Sequence, residues 1–370
     1  MRVAVLGAAG IIAPAIIRDL AESDEFEELT LLDINGAAAR AAASEHGGGK
    51  ASGAAVDASD RQALTLALED HGLLINAASY PVNLAAMDAA LAARCNYIDL
   101  GGLYHVTATQ LPLDAAFADA GLVAILGCGA GPGKTNVMAA RAARELEAVD
   151  TIRCASAGHD ETPPADGLAV PYALQTLLDE MTEAPMVVRD GEAVALVPLA
   201  EGGEIDFPEP IGRRRTLHTL HSEALTLPGI LGARDCDFRL ALAPAVETAL
   251  RDLAASGADA TSVATARPSP HTWSAQHVEV TGRKAGTATT VTVTALTRPH
   301  ERWGLGGGIV STGTVASSTA RLLARGALGP LSGVLAPERA IRADALFAEL
   351  EDRGCRFDIR IAEHQEVHAT

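Results

Sequence analysis

Four consecutive apolar residues, Val3 to Leu6, open the chain; a turn at Gly7 follows, and then apolar positions at Ile16, Ile17 and Leu20 in helical spacing. An uninterrupted apolar run with two β-branched members is how a strand buried on both faces of a parallel sheet reads, and the longer period after it is that of a helix with one buried face. The alternation repeats. Residues 29–35 (LTLLDIN), 54–60 (AAVDASD), 72–79 (GLLINAAS), 96–102 (NYIDLGG) and 122–133 (LVAILGCGAGPG) predict further strands with their turns, and 83–95 predicts an intervening helix. Strand and helix in alternation predict an α/β fold built on a doubly wound parallel sheet of the Rossmann type.

The pattern changes after Asp150. Residues 151–158, 277–283 and 288–296 alternate apolar and polar positions as antiparallel strands do, while 172–181 and 241–257 predict helices able to cover one face. A second α/β domain with a mixed or antiparallel sheet follows, and an open edge of such a sheet offers a surface for dimerisation. Residues 311–326 predict an amphipathic helix. Two packed units agree with a length of 370 residues, since a single core stops growing at roughly 250–300.

The first strand-to-helix junction carries the clearest chemistry. Free backbone N–H groups and the helix dipole favour an anion there, provided side chains leave room. Gly7, Gly10 and Ala13 give Gly-x-x-Gly-x-x-Ala, a variant of the dinucleotide fingerprint, and Ile11 and Ile12 belong to the same turn. Asp33 ends the second strand 26 residues after Gly7, where a carboxylate accepts hydrogen bonds from the adenosine ribose and repels a 2′-phosphate. The nearest arginine after it is Arg40, so NAD is expected in preference to NADP. Asp57 is placed near the adenine, and Asn76, Ala77 and Ser79 beside the pyrophosphate and nicotinamide ribose.

Composition narrows the remaining choices. A net charge of −18, spread along the chain, argues against nucleic acid and anionic membranes as partners. Five cysteines without a Cys-x-x-Cys pair argue against a disulfide framework or zinc ribbon and for a reducing cytoplasm. Neither a signal peptide nor a membrane span is expected. The stretch CGAGPGKT (128–135) is similar to a Walker phosphate loop, but Cys128 occupies the place of the first glycine. It reads instead as a hinge out of the first domain, in which the Gly131-Pro132-Gly133 turn ahead of a helix aims backbone N–H groups at a substrate carboxylate.

Several segments resemble one family. NAASYPVN, AALAARCNYIDLGG, LDAAFADAGLVAILGCGAGPGKTNVMAARAA, FPEPIG and GVLAPE are similar to the saccharopine dehydrogenase-like oxidoreductases over nearly the whole length. Residues 172–192, 207–212 and 218–223 look most like the lysine 6-dehydrogenases within that group. Ala9, between the glycines, departs from the commonest family fingerprint. The resemblance implies a Rossmann domain over 1–127, an α/β domain for substrate binding and dimerisation over 128–310, and a segment over 311–370 that returns to the first domain. It also implies a small amine or amino-acid substrate and a homodimer.

Oxidising an amine by hydride transfer requires a neutral nitrogen, a base for its proton and a water to hydrolyse the imine. Asp99, His105, His218, His221 and Glu223 form the pool, and Asp99, Tyr104 and His221 are the expected catalytic residues. Gly131, Pro132, Gly133, Arg213 and His218 are the expected substrate contacts. His218, His221 and Glu223 also suggest a metal set, but none is expected, because the family chemistry needs no metal and Ser222 interrupts the run. Arg213, Arg214 and Arg215 form either a solvated charge run or a carboxylate clamp, and Trp273 and Trp303 read as packing anchors. The expected function is NAD(P)-dependent oxidation at the CH–NH2 group of an amino acid, lysine 6-dehydrogenase-like. The alternatives are a saccharopine- or carboxynorspermidine-type reductase that forms a C–N bond, and a dinucleotide-binding sensor without turnover.

Overall fold

The first apolar run becomes the centre of a parallel sheet in the computed structural model, which describes residues 1–364 except 102, 165–167, 171, 257–262, 264 and 267. Gly102, Gly257 and residues 365–370 of the expected spans lie outside the described residues. In chain order the first domain comprises β1 (Arg2–Leu6), α1 (Ala13–Ala21), β2 (Glu28–Asp33), α2 (Gly36–His46), β3 (Ala51–Ala55), α3 (Arg61–Ala67), β4 (Leu73–Asn76), α4 (Asn83–Ala92), β5 (Asn96–Asp99), α5 (Tyr104–Gln110), α6 (Asp114–Asp119) and β6 (Val123–Ile125). The strands lie in the order β3-β2-β1-β4-β5-β6, all parallel. The third strand lies earlier than its expected span of 54–60. Its sequence, ASGAA, has no apolar run to read, and close approach of α2 fixes it instead: a Cβ on Gly53 would lie 2.4 Å from the Arg40 amide nitrogen.

The chain leaves this sheet through α7 (Lys134–Ala143) and builds the second from β7 (Ala148–Asp160), α8 (Leu174–Thr182), β8 (Met186–Arg189), β9 (Glu192–Ala195), β10 (Glu201–Asp206), β11 (Arg213–His218), α9 (Glu223–Leu231), β12 (Asp235–Ala241), α10 (Pro244–Ser256), β13 (Thr272–Lys284) and β14 (Thr287–Thr297). The sheet is mixed, since β7 runs parallel to β12 and antiparallel to β13. Then come α11 (Gly307–Ala324), β15 (Gly333–Leu335), α12 (Pro337–Ala340), α13 (Ala343–Glu351) and β16 (Cys355–His364). The C-terminal segment serves both sheets: β15 extends the first beside β6, and β16 closes the second beside β14.

The helix expected to be amphipathic over 311–326 is α11, and it is buried all round. Its interior face is made of Ser311, Thr314, Ser317, Ser318, Thr319 and Arg321 as well as apolar residues. Hydroxyls of this kind are admitted because they bond back into the helix, as Thr314 does to the Val310 carbonyl at 2.7 Å and Thr319 to that of Val315 at 2.8 Å. Arg321 is held by Asp19 of α1 at 3.0 Å, Glu349 of α13 at 2.7 Å and the Ser23 hydroxyl at 3.0 Å. Arg353 adds a second cation to Asp19 at 2.8 Å. This buried ionic knot ties the nucleotide-side helix α1 to the C-terminal helices. Truncating Arg321→Ala removes the most buried cation of the network while Arg353 stays on Asp19 and Arg325 on Glu349, and urea unfolding should show a loss of about 3 kcal/mol, the lower end for breaking a buried pair. A loss below about 1 kcal/mol, the range of surface ion pairs, would show that the knot is exposed to water in solution.

Candidate active site at the seam of the two sheets

The turn after β1 is shaped for a close approach. Gly7 takes φ +78°, and a Cβ there would lie 2.5 Å from the Ala78 amide nitrogen, so only glycine fits. The Gly10 amide bonds to the Gly7 carbonyl at 3.0 Å. Among the described residues the amides of Ile11, Ile12 and Ala13 have no acceptor, and Pro14 has no N–H to satisfy. The start of α1 thus keeps free donors beside a turn that bears no side chain larger than a methyl group until Ile11. Asp33 lies across this turn, accepting from the Ala9 amide at 3.0 Å and from the Asn35 amide at 2.9 Å. Ile34 beside it is 74% exposed, an apolar surface next to the carboxylate. Asp57 is exposed and accepts from the amide and hydroxyl of Ser59, which hold its carboxyl below the usual range. Ala77 passes beside Gly7 and Gly10 and Ala78 beside Gly7, with Ser79 next in the chain. These residues fit a dinucleotide.

Asn76 and Asp99 do something else. Asn76 turns its side chain inward, donating to Asn83 at 3.0 Å and to the Tyr97 hydroxyl at 3.1 Å. It is not free for the pyrophosphate or nicotinamide ribose. Asp99 is 1% exposed and accepts from Gly101 N (3.0 Å), Gly127 N (2.6 Å), Gln110 Nε2 (2.7 Å) and Tyr97 OH (3.1 Å), with Asn83 Nδ2 at 3.4 Å. Burial raises its pKa and these donors pull it back. The expectation that Asp99 is a catalytic base is therefore corrected: its acceptor sites are occupied, and it clamps the loop after β5 to the loop after β6.

That second loop leads into α7, where the two domains meet. Pro132 packs on Gly101 and Gly127, and the Gly133 amide that was to meet a substrate carboxylate is taken internally, as are the two amides after it. Gly133 N donates to Asn136 Oδ1 at 2.9 Å, Lys134 N to Gly129 O at 2.9 Å and Thr135 N to Ala130 O at 3.3 Å. The side chains reach outward instead. Lys134 is buried with its ammonium on the Ser311 hydroxyl at 2.6 Å and that of Thr297 at 3.2 Å, and burial lowers its pKa. Thr135 donates to Glu223 Oε1 at 2.7 Å, and Asn136 Nδ2 to Glu338 Oε2 at 2.9 Å.

Glu223 begins α9 and faces His221, whose ring stacks on Phe238 at 3.6 Å. His221 Nδ1 is 3.4 Å from Glu223 Oε2, and Nε2 is 3.4 Å from Glu180 Oε2. Burial alone would lower the His221 pKa, but the carboxylates of Glu180 and Glu223 raise it to about 10, so the ring is a cation at neutral pH. Glu180 also accepts from the Tyr172 hydroxyl at 2.5 Å. Its neighbour Asp179 accepts from Tyr80 at 2.5 Å, and Tyr80 follows Ser79 beside the glycine turn. The acidic cluster is tied in this way to the nucleotide side.

The other expected contacts lie elsewhere. His218 pairs with Arg239 in the β11–β12 ladder and so shares its face, opposite to that of Phe238 and His221. His218 ends β11 and His221 lies in the irregular segment that precedes α9, so the two face different sides. Arg213 is exposed and bonded by two nitrogens to Glu204 Oε2, and Arg215 meets Glu201 and Glu247, so the run is a solvated one and not a clamp. Tyr104 is half-buried at the start of α5 with its hydroxyl unpartnered among the described residues; His105 lies 3.5 Å from Glu183 at the surface. Trp273 and Trp303 donate to Glu161 and Glu22 and pack. No set of His, Cys, Asp or Glu among the described residues is arranged to hold a metal ion, and no described helix is long and apolar enough to cross a membrane. Glu180, Glu338, Thr135 and Asn136 were not singled out. The readable signal for Glu180 was a charge among Leu177, Leu178 and Met181, the buried stripe of α8.

Comparison with known proteins adds to this geometry. Residues 3–125 match the model of the saccharopine dehydrogenase NADP binding domain. Carboxyaminopropylagmatine dehydrogenase from Synechocystis sp. is 29% identical over 245 residues, covering 61% of this chain and 58% of that protein, so the match spans little more than half of the relative's length. Apo saccharopine dehydrogenase (L-Glu forming) from Saccharomyces cerevisiae superposes with a TM-score of 0.74 at 15% identity, covering 98% of this chain and 99% of that one. Homospermidine synthase from Legionella pneumophila in complex with NAD gives 0.75 at 12% identity, covering 100% and 93%. At these identities the two structures speak for the fold.

Two outcomes follow from the site. Asp99→Asn should lose roughly 1–3 kcal/mol in urea unfolding; a variant as stable as the parent but inactive would restore the base assignment. For His221 the folded pKa of about 10 stands above the ordinary 6.5, so its stabilisation is complete below pH 6.5 and is lost as pH rises through 10. The difference in unfolding free energy between the parent and His221→Gln should shrink across that window, and a pH-independent difference would contradict a charged ring.

Proposed function

We propose that this chain belongs to the saccharopine dehydrogenase family and is an NAD(P)-dependent oxidoreductase acting at a carbon–nitrogen bond of a small amine or amino acid, with lysine 6-dehydrogenase-like oxidative deamination as the first reading. The observation that carries the proposal is the buried Glu180–His221–Glu223 set beside the loop that joins the two domains. A nicotinamide dinucleotide on the glycine turn supplies the hydride acceptor or donor. The chain's own part is electrostatic. Converting an amine to an iminium, or the reverse, passes through positive charge at nitrogen, and preorganised carboxylates in a buried site stabilise such charge. His221, already protonated, is not the base; it holds Glu180 and Glu223 in place and can donate a proton. A carboxylate of the same cluster is the group able to accept the substrate's proton.

Reductive formation of a C–N bond on a polyamine precursor is the second reading, supported by the likeness to carboxyaminopropylagmatine dehydrogenase. Five buried free cysteines support a reducing cytoplasm. The exposed edge strand β16, with Ile359 and Ile361 at its surface, supports a homodimer.

A panel of lysine, ornithine and related diamines with NAD, read by absorbance of the reduced cofactor, tests the first reading, and activity should rise as the ammonium of about pKa 10.4 loses its proton. Turnover only with a carbonyl compound, an amine and reduced cofactor would give the second reading its place; no turnover in either direction despite cofactor binding would leave a sensor. On the nucleotide side, Asp33 should make NAD bind at least about tenfold more tightly than NADP. Asp33→Ser with Ile34→Arg should reverse that order in a fluorescence titration, and a parent protein that prefers NADP would refute the role given to Asp33.

A further inference from the structure

The last turn of α8 carries two consecutive acids that face different domains. Glu180, on the buried side, accepts from the Tyr172 hydroxyl at 2.5 Å and stands 3.4 Å from His221 Nε2. Asp179, one residue earlier and so roughly 100° round the helix, faces the first domain. Its Oδ2 accepts from the Tyr80 hydroxyl at 2.5 Å, while its Oδ1 takes Gln175 Nε2 of its own helix at 2.7 Å. Tyr80 lies in the loop that leaves β4, three residues after Ala77, which passes beside Gly7 and Gly10.

The bond between Tyr80 and Asp179 is the stronger of two such links. Both residues are half-buried, and a hydroxyl on a carboxylate makes a charge-assisted bond roughly twice as strong as a neutral one. Burial, and the Asp179 carboxylate on its hydroxyl, push the Tyr80 pKa up, so the phenol keeps its proton and stays a donor. The other polar contact of this end of α8 with the first domain, among the described residues, joins His105 Nδ1 to Glu183 Oε2 at 3.5 Å. Both of those side chains are about half exposed, and a pair of that kind contributes little. The docking of α8 on the loop after β4 therefore leans, on its polar side, on Tyr80.

We propose that Tyr80 is a positioning residue of the candidate active site: by holding Asp179 it docks α8 on the loop after β4 and keeps Glu180 against His221. This rests on the functional reading of Glu180, His221 and Glu223, and adds to that cluster a residue from the nucleotide-binding domain. The effect runs through the backbone of α8, where Asp179 and Glu180 are adjacent. It can be read at His221 without any substrate. Glu180 from α8 and Glu223 from α9 face the ring, Phe238 of β12 stacks on it, and the two carboxylates hold its pKa at about 10 against burial. Drawing Glu180 away leaves one carboxylate and the same stacking on Phe238, so the ring gives up its proton at lower pH.

The test is an NMR titration of the His221 ring in the full chain, in the parent, Tyr80→Phe, Glu180→Gln and the double variant. Phenylalanine keeps the aromatic ring and removes only the hydroxyl. Tyr80→Phe should lower the His221 midpoint by at least about one unit, a tenfold loss of proton affinity. Once Glu180→Gln is present, the same substitution should lower it no further. Asp179→Ala is read by the same cycle and keeps the test in force should Tyr80→Phe not fold. An unmoved midpoint in a folded variant overturns the proposal. So does a shift of equal size in the Glu180→Gln background, which would show that Tyr80 does not act through Glu180. NAD affinity is measured alongside: if Tyr80→Phe weakens NAD while His221 titrates as in the parent, Tyr80 is a cofactor contact and the positioning role is refuted. Because no substrate enters, the two levels separate. Absence of turnover in the parent sinks the functional reading and leaves the titration standing, whereas a parent that turns over amines, with His221 unmoved in Tyr80→Phe, sinks the role of Tyr80 alone.

Discussion

Three consecutive residues at the start of α7, Lys134, Thr135 and Asn136, each find a partner in a different part of the chain, and the arrangement of the two domains follows from that requirement. Gly133 adopts φ +122°, where a Cβ would lie 2.4 Å from the Gly129 carbonyl oxygen, so the loop can fold tightly back on itself. Lys134 then reaches α11 and β14, Thr135 reaches α9, and Asn136 reaches α12. All are buried, and buried polar groups are tolerated only when paired. One turn of helix thereby fixes where the second sheet, the C-terminal helices and two acidic residues stand relative to the end of β6.

The same rule separates two kinds of carboxylate that look alike in a sequence. Asp99 and Glu223 are both fully buried acids near strand or helix ends. Asp99 meets donors on both oxygens, from backbone and side chains of its own domain, and is a structural clamp. Glu223 meets a hydroxyl on one oxygen and an imidazolium beyond hydrogen-bond geometry on the other. The first is complete without a ligand. The second is not: one of its buried oxygens is left without a hydrogen-bond donor.

Legibility in the sequence tracks how local each cause is. The parallel sheet was readable because β1, β2, β4 and β6 are apolar runs; β3 was displaced because its strand is fixed by contact with α2, which leaves no apolar signature. Gly7, Gly10 and Asp33 could be placed because their spacing reflects one strand–turn–helix unit. Asn76, Asp99, Arg213 and His218 could be named as polar residues near the right strand ends, but which way each side chain turns is decided by partners 7 to 28 residues away or across a ladder. His221 was found for its residue type and Glu338 was missed, because only tertiary contact places the second beside Glu223. Strand β16 was not read either: its position depends on pairing with β14 and not on burial of its own side chains.

The helix α11 then explains how the nucleotide turn and the acidic cluster can be felt by one another. Near its start Ser311 accepts the Lys134 ammonium, and two residues later Gly313 packs so closely on α1 that a Cβ would lie 2.7 Å from that of Ala15 and 3.2 Å from the Ile12 carbonyl oxygen. Ile12 belongs to the turn with free amides; Lys134 belongs to the turn that holds Glu223 and Glu338. The contact of α1 with α11 thus runs through the Ile12 backbone and the Ala15 methyl group, which do not yield as a long flexible side chain does. The knot of Asp19, Arg321 and Glu349 pins the far end of the same helix, while near its start Ser311 meets the α7 turn. In a close-packed interior the turn with free amides and the turn that holds Glu223 and Glu338 are therefore joined by contact through one helix and not only by adjacency.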